Sequence, residues 1–397
     1  MINTLIILFW IGLFLVFYTY LGYGILLYIL VKIKKRIHPN DIIQKLPDYP
    51  EVTLAIAAYN EESVIEEKMR NCQVLKYPEG KFSICWITDG SDDRTNELLA
   101  GYPEVTVIFQ PQRQGKTAAL NRAMSYIKTP ITVFTDANTM LDTNAITEIV
   151  KPFANTKVGC VAGEKRIEQS ETGDATAGEG IYWKYESTLK TLDDQLYSVV
   201  GAAGELFAIR TELFEIMPSD TLLDDFILSM RIAQKGYKIA YCKKAYAIED
   251  PSSDIKEEEK RKVRIAAGGL QSVYRLRGLL NPFKYGTLSF QYVSHRVLRW
   301  SVTPITLFLL LPLNIALVAT AKEGVTLYAI LLVFQLLFYA AGFSGNIYAR
   351  KRIRKKLLYI PFYFLFMNIN VLKGFSYLRK KKGSGIWEKA KRSKSEF

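Results

Sequence analysis

Asp136 and Asn138 set two oxygen-bearing side chains one residue apart, directly after the apolar, β-branched run Ile131 to Thr135. Such a pair suits a hard divalent cation, magnesium or manganese, shared with a ligand's phosphates. An Asx turn closing a strand would use the same residues with no ligand at all. Four further clusters accompany the pair. Tyr59 and Glu61 follow Val52 to Ala58, Asp89 follows Phe82 to Thr88, Lys116 follows Gly115, and Asp224 with Asp225 opens a segment reaching Gln234. An aromatic ring can stack on a base, and carboxylates can accept from ring N–H and hydroxyl groups. A lysine places a point charge on a diphosphate, and a carboxylate at Asp225 can act as a general base. Helix capping for Asp225, a solvated turn for Asp89 and a surface charge for Lys116 are the plain alternatives. The recurrence of polar clusters just after strands, in one order along the chain, favours a common site.

Composition excludes several other chemistries. The only histidines are His38 and His295, so a histidine-ligated zinc site and a Ser-His-Asp triad are both out of reach. Acid/base work then falls to carboxylates. Cys72, Cys85, Cys160 and Cys242 show no metal spacing and no C-x-x-C, which reads as reduced, mostly buried thiols in a cytosolic domain. The formal charge is +13, yet Arg350 to Phe397 holds fifteen Lys and Arg against Glu388 and Glu396, and so carries the whole excess. A basic tail beside apolar segments is explained by membrane topology and anionic headgroups. This argues against a nucleic-acid partner.

The elements that must position these residues alternate from Glu51 onward. Val52 to Ala58, Phe82 to Thr88, Val105 to Gln110 and Ile131 to Thr135 read as strands, with helices after Asn60, after Asp93 and from Gly115 to about Ile127. This order implies an α/β fold with a mostly parallel sheet, whose ligands sit at the carboxyl ends of the strands. A second half adds a strand from Lys157 to Gly163, a helix over Ile181 to Leu196, and Gly201 to Gly204 ahead of a short strand into Arg210. The helix opened by Asp225 stops at Gly236. Ile255 to Leu280 is amphipathic, with Val263, Ala266, Ala267, Leu270 and Val273 on one face and Glu257–Arg261 and Glu258–Lys262 as supporting pairs. Ser289 to Trp300 reads as an interfacial helix.

Met1 to Val31 carries no charged side chain and is long enough to span a bilayer, and Lys32, Lys34, Lys35 and Arg36 follow it. The positive-inside rule puts the N-terminus outside and the catalytic domain in the cytosol, as an uncleaved anchor. Val302 to Thr320 and Val325 to Gly345 form an outward and returning hairpin. Leu357 to Leu372 is short, holds Pro361, Asn368 and Asn370, and has basic flanks on both sides. It reads as a re-entrant or interface-lying segment, with the tail in the cytosol. The expected organisation is therefore an anchor over 1–36, a catalytic domain over 50–250, amphipathic interface helices over 251–300, membrane segments over 301–376 and a basic tail over 377–397.

Ala58-Tyr59-Asn60-Glu61-Glu62, Thr88-Asp89-Gly90-Ser91-Asp92-Asp93, Gly115-Lys116-Thr117-Ala118-Ala119-Leu120-Asn121, Asp136-Ala137-Asn138 and Asp224-Asp225 stand in one order and spacing. As a set they resemble the inverting family 2 glycosyltransferases of the GT-A fold, in the membrane-embedded group of chitin, hyaluronan and poly-N-acetylglucosamine synthases. The resemblance covers roughly Val52 to Gly268. It implies that Tyr59, Glu61 and Asp89 hold the nucleoside of a nucleotide-sugar donor, with Lys116 by its diphosphate and Asp224 in the substrate site. It further implies a divalent cation at Asp136 and Asn138, with Asp225 as catalytic base and Arg264 stabilising the leaving UDP. Arg261-Lys262-Val263-Arg264-Ile265 falls where processive members carry Q-x-x-R-W, with Arg261 and Ile265 in place of the glutamine and tryptophan. Asn138 likewise replaces the second aspartate of the metal motif. Trp387 lies in a stretch similar to the cytosolic segments that cover the site in polymer synthases, or serves as an interface anchor. The implied acceptor is a growing polysaccharide or a lipid-linked acceptor at a plasma membrane of bacterial type, with polysaccharide-export proteins as partners. The altered Arg261–Ile265 stretch points to a single addition onto a lipid carrier, and the hairpin and Trp387 point to a synthase. A catalytically degenerate scaffold subunit is the non-enzymatic alternative.

Overall fold

The computed structural model describes residues 2–38, 46, 48–167, 176–321, 323–350 and 356–380, so Trp387 lies outside the described residues. Eight strands form one sheet: β1 (Val52–Ala58), β2 (Phe82–Asp89), β3 (Thr106–Gln110), β4 (Ile131–Asp136), β5 (Thr139–Leu141), β6 (Val158–Ile167), β7 (Phe207–Arg210) and β8 (Lys238–Glu249). Their order is β3-β2-β1-β4-β7-β6-β8-β5. The first four strands run parallel, as their alternation with helices requires. β7 joins β4 and β6 antiparallel, and β8 runs parallel to β6 and antiparallel to β5. The sheet is therefore mixed, with four of seven pairings parallel.

β1 is apolar along its length because both faces of the sheet are covered. Leu54 and Ile56 point with Trp86 and Val133 into one core, where Ile65, Met69, Ile146 and Ile149 pack. Ala55 points with Ile87, Phe134 and Phe207 into the other, against Phe226, Ile227 and Tyr292. The period of two along each strand separates these sets.

The helices used below are α1 (Ile2–Ile37, with a π-helical turn at Tyr18–Gly22), α2 (Lys116–Tyr126), α3 (Thr176–Leu196), α4 (Asp224–Gln234) and α5 (Ile255–Arg275). α6 comprises Thr287–Tyr292, a π-helical turn Val293–Val297 and Leu298–Trp300. α7 (Val302–Thr320), α8 (Val325–Arg350) and α9 (Lys356–Lys380) follow. Among the described residues α1, α7, α8 and α9 are long and apolar enough to cross a membrane.

Three expectations change. α9 is one unbroken helix through Pro361 and reaches Lys380, longer than the segment read from hydropathy. Its early turns lie on the end of α8, where added Cβ atoms at Gly345 and Gly342 would meet Leu358 and Leu365, and its late turns lie on α5, where Gly374 meets Ala266 and Ala267. α5 buries Glu258, Arg261 and Lys262 along with Ala266 and Ala267, whereas Val263, Leu270 and Val273 are only half-buried. Its inward face is thus partly ionic, because the charges are paired: Arg261 and Lys262 both bind Glu258, at 2.9 and 3.3 Å, and Glu257 takes Lys260 at 2.7 Å. β5 and β8 carry no clear strand signal of their own: β8 is made by pairing along β6, and β5 by pairing with the end of β8.

Candidate active site

The carboxyl ends of β1, β2 and β4 open into a cavity of about 390 Å³. Its lining includes Tyr59, Glu61, Asp89, Lys116, Asp136, Asn138, Asp224, Asp225 and Arg264, so every candidate residue within the described chain meets in one space.

At the β1 and β2 ends, Asn60 takes a left-handed backbone (φ 53°) and its side chain binds Asp92 both ways, with Nδ2 donating at 2.6 Å and Oδ1 accepting from the Asp92 amide at 3.1 Å. This ties the two strand-end loops together. Gly90 (φ +70°) follows Asp89, and a Cβ there would lie 2.5 Å from the Arg113 amide nitrogen, so only glycine fits the turn. Asp89 divides its labour. Its Oδ2 accepts from the amides of Gln114 (2.9 Å) and Gly115 (2.6 Å), which holds the loop into α2. Its Oδ1 is buried with Arg122 at 3.6 Å and no hydrogen-bond donor. The Arg113 guanidinium lies 3.7 Å over the Tyr59 ring.

The acidic turn after β4 is braced from beneath. The buried Lys68 ammonium donates to the Thr139 carbonyl, the Thr139 hydroxyl donates to the Asp136 carbonyl (3.0 Å), and the Thr135 hydroxyl donates to the Glu205 carbonyl (2.8 Å). Lys116 Nζ, set by the first turn of α2, binds Asp136 Oδ1 at 2.6 Å and lies 3.8 Å from Asp224 Oδ2. Burial acts to lower the lysine's pKa, but Asp136 and Asp224 outweigh it and hold the ammonium charged. Lys116 therefore serves the carboxylates directly, beyond the diphosphate role implied by resemblance.

Asp225 stands in the first turn of α4 and accepts from the Phe226 amide at 2.7 Å through Oδ1. Burial, reinforced by Asp224 and opposed by Lys116, pushes its carboxyl up to about 7. Gly204 shows how these groups converge. A Cβ at that position would lie 3.4 Å from both Asp225 Oδ2 and Lys116 Nζ, and 3.8 Å from Asp136 Oδ2. The missing side chain leaves a gap where a proton acceptor, a cation and a second carboxylate face one another.

The same observation tests the metal assignment. Asp136 Oδ2 has no protein partner among the described residues and borders that gap, and the Asn138 amide lines the cavity without a partner. No group of three or more His, Cys, Asp and Glu poised as a metal cage occurs among the described residues. The residues fit a cation that completes its shell from a ligand's phosphates.

The sequence reading missed the other walls. Lys165 is buried between Glu205 (2.5 Å) and Glu249, and β8 is what brings Glu249 beside Thr139 and Ile167. Trp183, Glu186 and Lys190 of α3, Arg296 and Trp300 of α6 and Met367 of α9 line the side towards the membrane segments. The charged residues Arg296 and Arg299 were legible as an interfacial helix, and the charges of α3 gave no local signal of a cavity.

Residues 50–268, more than half of the chain, match the family described as Glycosyltransferase like family 2. This chain belongs to glycosyltransferase family 2. The cavity is thereby placed in a family of enzymes that use nucleotide-sugar donors. The transferase is 30% identical over 199 residues to the β-monoglucosyldiacylglycerol synthase of Trichormus variabilis, across 46% of this chain and 41% of that relative. It is 27% identical over 237 residues to the poly-β-1,6-N-acetyl-D-glucosamine synthase of Staphylococcus aureus, across 56% of each. The transferase thus spans about half the length of these curated relatives. Its fold is that of the mannosyltransferase PcManGT from Pyrobaculum calidifontis, solved with GDP-mannose and Mn2+. The TM-score is 0.71 over 94% of this chain and 99% of that one, at 21% identity, which shows the shared GT-A fold.

Proposed function

We propose that the transferase moves a sugar from a UDP-sugar onto a hydroxyl of a lipid-linked or growing polysaccharide acceptor at the membrane, with inversion. The convergence of Asp225, Lys116 and Asp136 on the Gly204 gap carries this reading. Asp225, with its carboxyl at about 7, takes the proton of the acceptor hydroxyl as the oxygen attacks the anomeric carbon. The bond from that carbon to the diphosphate breaks on the opposite side, and Lys116 and Arg264 balance the charge gathering on UDP. A divalent cation held by Asp136 and Asn138 would add Lewis-acid stabilisation of the diphosphate. Tyr59 and Glu61 contact the nucleoside. Asp89, held by the Gln114 and Gly115 amides and by Arg122 at the edge of the cavity, is placed to contact the same nucleoside.

The basic end of α1 supports a cytosolic catalytic domain with the N-terminus outside. Lys34 there donates to the carbonyls of Gln195 (2.9 Å) and Leu196 (3.1 Å), which joins the anchor to α3. A single addition to a lipid is favoured over polymerisation by Ile265, which lines the cavity where processive relatives present tryptophan, and by Arg261, which is committed to Glu258. Membranes holding the full chain, incubated with a panel of labelled UDP-sugars, test both points. One added residue on a lipid supports the single transfer, long products support a synthase, and no UDP release from any donor overturns the reading.

A further inference from the structure

Lys190 is a buried cation that the chemistry above does not use. Its residue is 3% exposed, it lines the cavity, and among the described residues its ammonium makes no hydrogen bond and no ion pair. Its one aromatic neighbour is the Tyr241 ring, 5.7 Å away. Every other buried cation of the cavity is matched: Lys116 with Asp136, Lys165 with Glu205, and Arg261 and Lys262 with Glu258. Glu186, Glu205 and Glu164 act on the ammonium from beyond ion-pair distance, and a buried ammonium with no contact partner is stabilised when a ligand supplies one.

Its surroundings say where that ligand comes from. Glu186, one turn before Lys190 on α3, binds Arg296 at 2.5 Å, Arg299 at 3.3 Å and His295 at 3.2 Å. His295 Nδ1 meets Asp193 at 2.5 Å, and Asp193 accepts from the Tyr23 hydroxyl of α1 at 2.5 Å. Tyr185 donates to the Tyr20 carbonyl, and Tyr18 meets Ser294 at 2.8 Å, where the π-helical turns of α1 and α6 face each other. Lys190 and Arg296 thus stand on the cavity wall that is clamped to the membrane anchor, and Trp300 beside them is followed within two residues by α7.

We infer that Lys190, with Arg296, binds the phosphate of the acceptor, so that the acceptor is a hydroxyl-bearing membrane lipid whose head group is anionic. This rests on the glycosyltransferase reading and names the acceptor class for it. Glu186, Glu205 and Glu164 act on the Lys190 ammonium without an ion-pair contact, so recognition depends on the contact position beside it that no protein carboxylate occupies.

Purified full-length protein in detergent, without donor, is mixed with phosphatidylglycerol, diacylglycerol or glycerol 3-phosphate, and retention is read by native mass spectrometry. The expected result is retention of phosphatidylglycerol at least tenfold above the other two. Lys190→Met is expected to lose that preference and Lys190→Arg to keep it, with UDP binding measured on each variant as the check of folding. Equal retention of diacylglycerol, preference for glycerol 3-phosphate, or an unchanged preference in a Lys190→Met protein that binds UDP overturns the inference. Should Lys190→Met fail to fold, the wild-type preference and Lys190→Arg decide the matter. UDP release from UDP-sugars is assayed separately, so failure of the transferase reading shows there and not in lipid retention.

Discussion

Asp225→Asn is expected to lower transfer by about 10²–10⁴-fold, the usual contribution of a positioned base, measured as kcat with labelled donor. Because burial and Asp224 push the carboxyl up to about 7, and only its deprotonated form accepts a proton, activity rises with pH through about 7 and is lost on acidification. Asp224→Asn removes the neighbouring negative charge and moves that limb to lower pH. A kcat/KM profile whose acid limb stays in place would show that another group titrates. At Asp136 and Asn138 the expected outcome is metal dependence. EDTA abolishes transfer and manganese or magnesium restores it, Asp136→Ala stays inactive at any metal concentration, and Asn138→Asp works at lower metal because it adds a charged ligand. Full activity of Asp136→Ala in EDTA would remove the cation from the mechanism. Asp136 and Asn138 were legible because they follow an apolar strand, and Asp224 and Asp225 because they open a helix. Asp89 was legible as a candidate at a strand end, but its Oδ2 bonds to Gln114 and Gly115 depend on a loop closure that no local pattern encodes.

At the scale of elements, α5 decides the shape of the site by close approach on two sides. A Cβ at Gly268 would lie 2.6 Å from the Leu223 side chain, just ahead of α4, which carries Asp225, and one at Gly269 would lie 2.4 Å from the Trp300 ring. Overpacking of this kind typically costs about 1–3 kcal/mol. Gly269→Ala is therefore expected to lower the thermal midpoint and to raise the acceptor KM while the donor KM stays put, since Trp300 is the group that must move. A parallel rise in the donor KM would mean that the strain spreads to the nucleotide end. Helical periodicity predicts α5, yet assigns its inner face to aliphatic residues. Glu258, Arg261 and Lys262 are buried there because they neutralise one another; the i,i+4 spacing gave the Glu258–Lys262 pair, and a hydrophobic pattern gave no sign that it is buried.

For the whole molecule, the contacts of α9 bear on topology. Its early turns lie on the end of α8 that returns from the hairpin, and its late turns lie on α5, with Lys373 paired to Glu259. Deeper in the hairpin, α7 and α8 are joined by the Asn314 and Gln335 amides at 2.8 Å, and the Tyr339 hydroxyl donates to the Leu307 carbonyl at 3.1 Å. An amide pair in this setting fastens two membrane helices together. We expect both ends of α9 to stay on the side of the catalytic domain. A cysteine added at the C-terminus is expected to react with an impermeant maleimide only after the cytosolic face is opened, whereas Glu323→Cys reacts from outside. Outside labelling of the C-terminal cysteine would make α9 a crossing helix. Hydropathy and charge pull apart here, because the length permits a span and the basic flanks on both sides disfavour one.

The amino-acid sequence by itself determined the four parallel strands, the position of the acidic and basic clusters at their carboxyl ends, and the apolar helices, since these follow from periodicity and from residues adjacent in the chain. Only the tertiary structure decided that Gly204 leaves the gap on which Asp225, Lys116 and Asp136 converge, that β8 delivers Glu249 to Lys165, and that Lys190 makes no ion pair among the described residues. Those outcomes depend on which distant segments pair and which buried charges find partners. Such energies belong to contacts between elements, and no single stretch of the chain contains them.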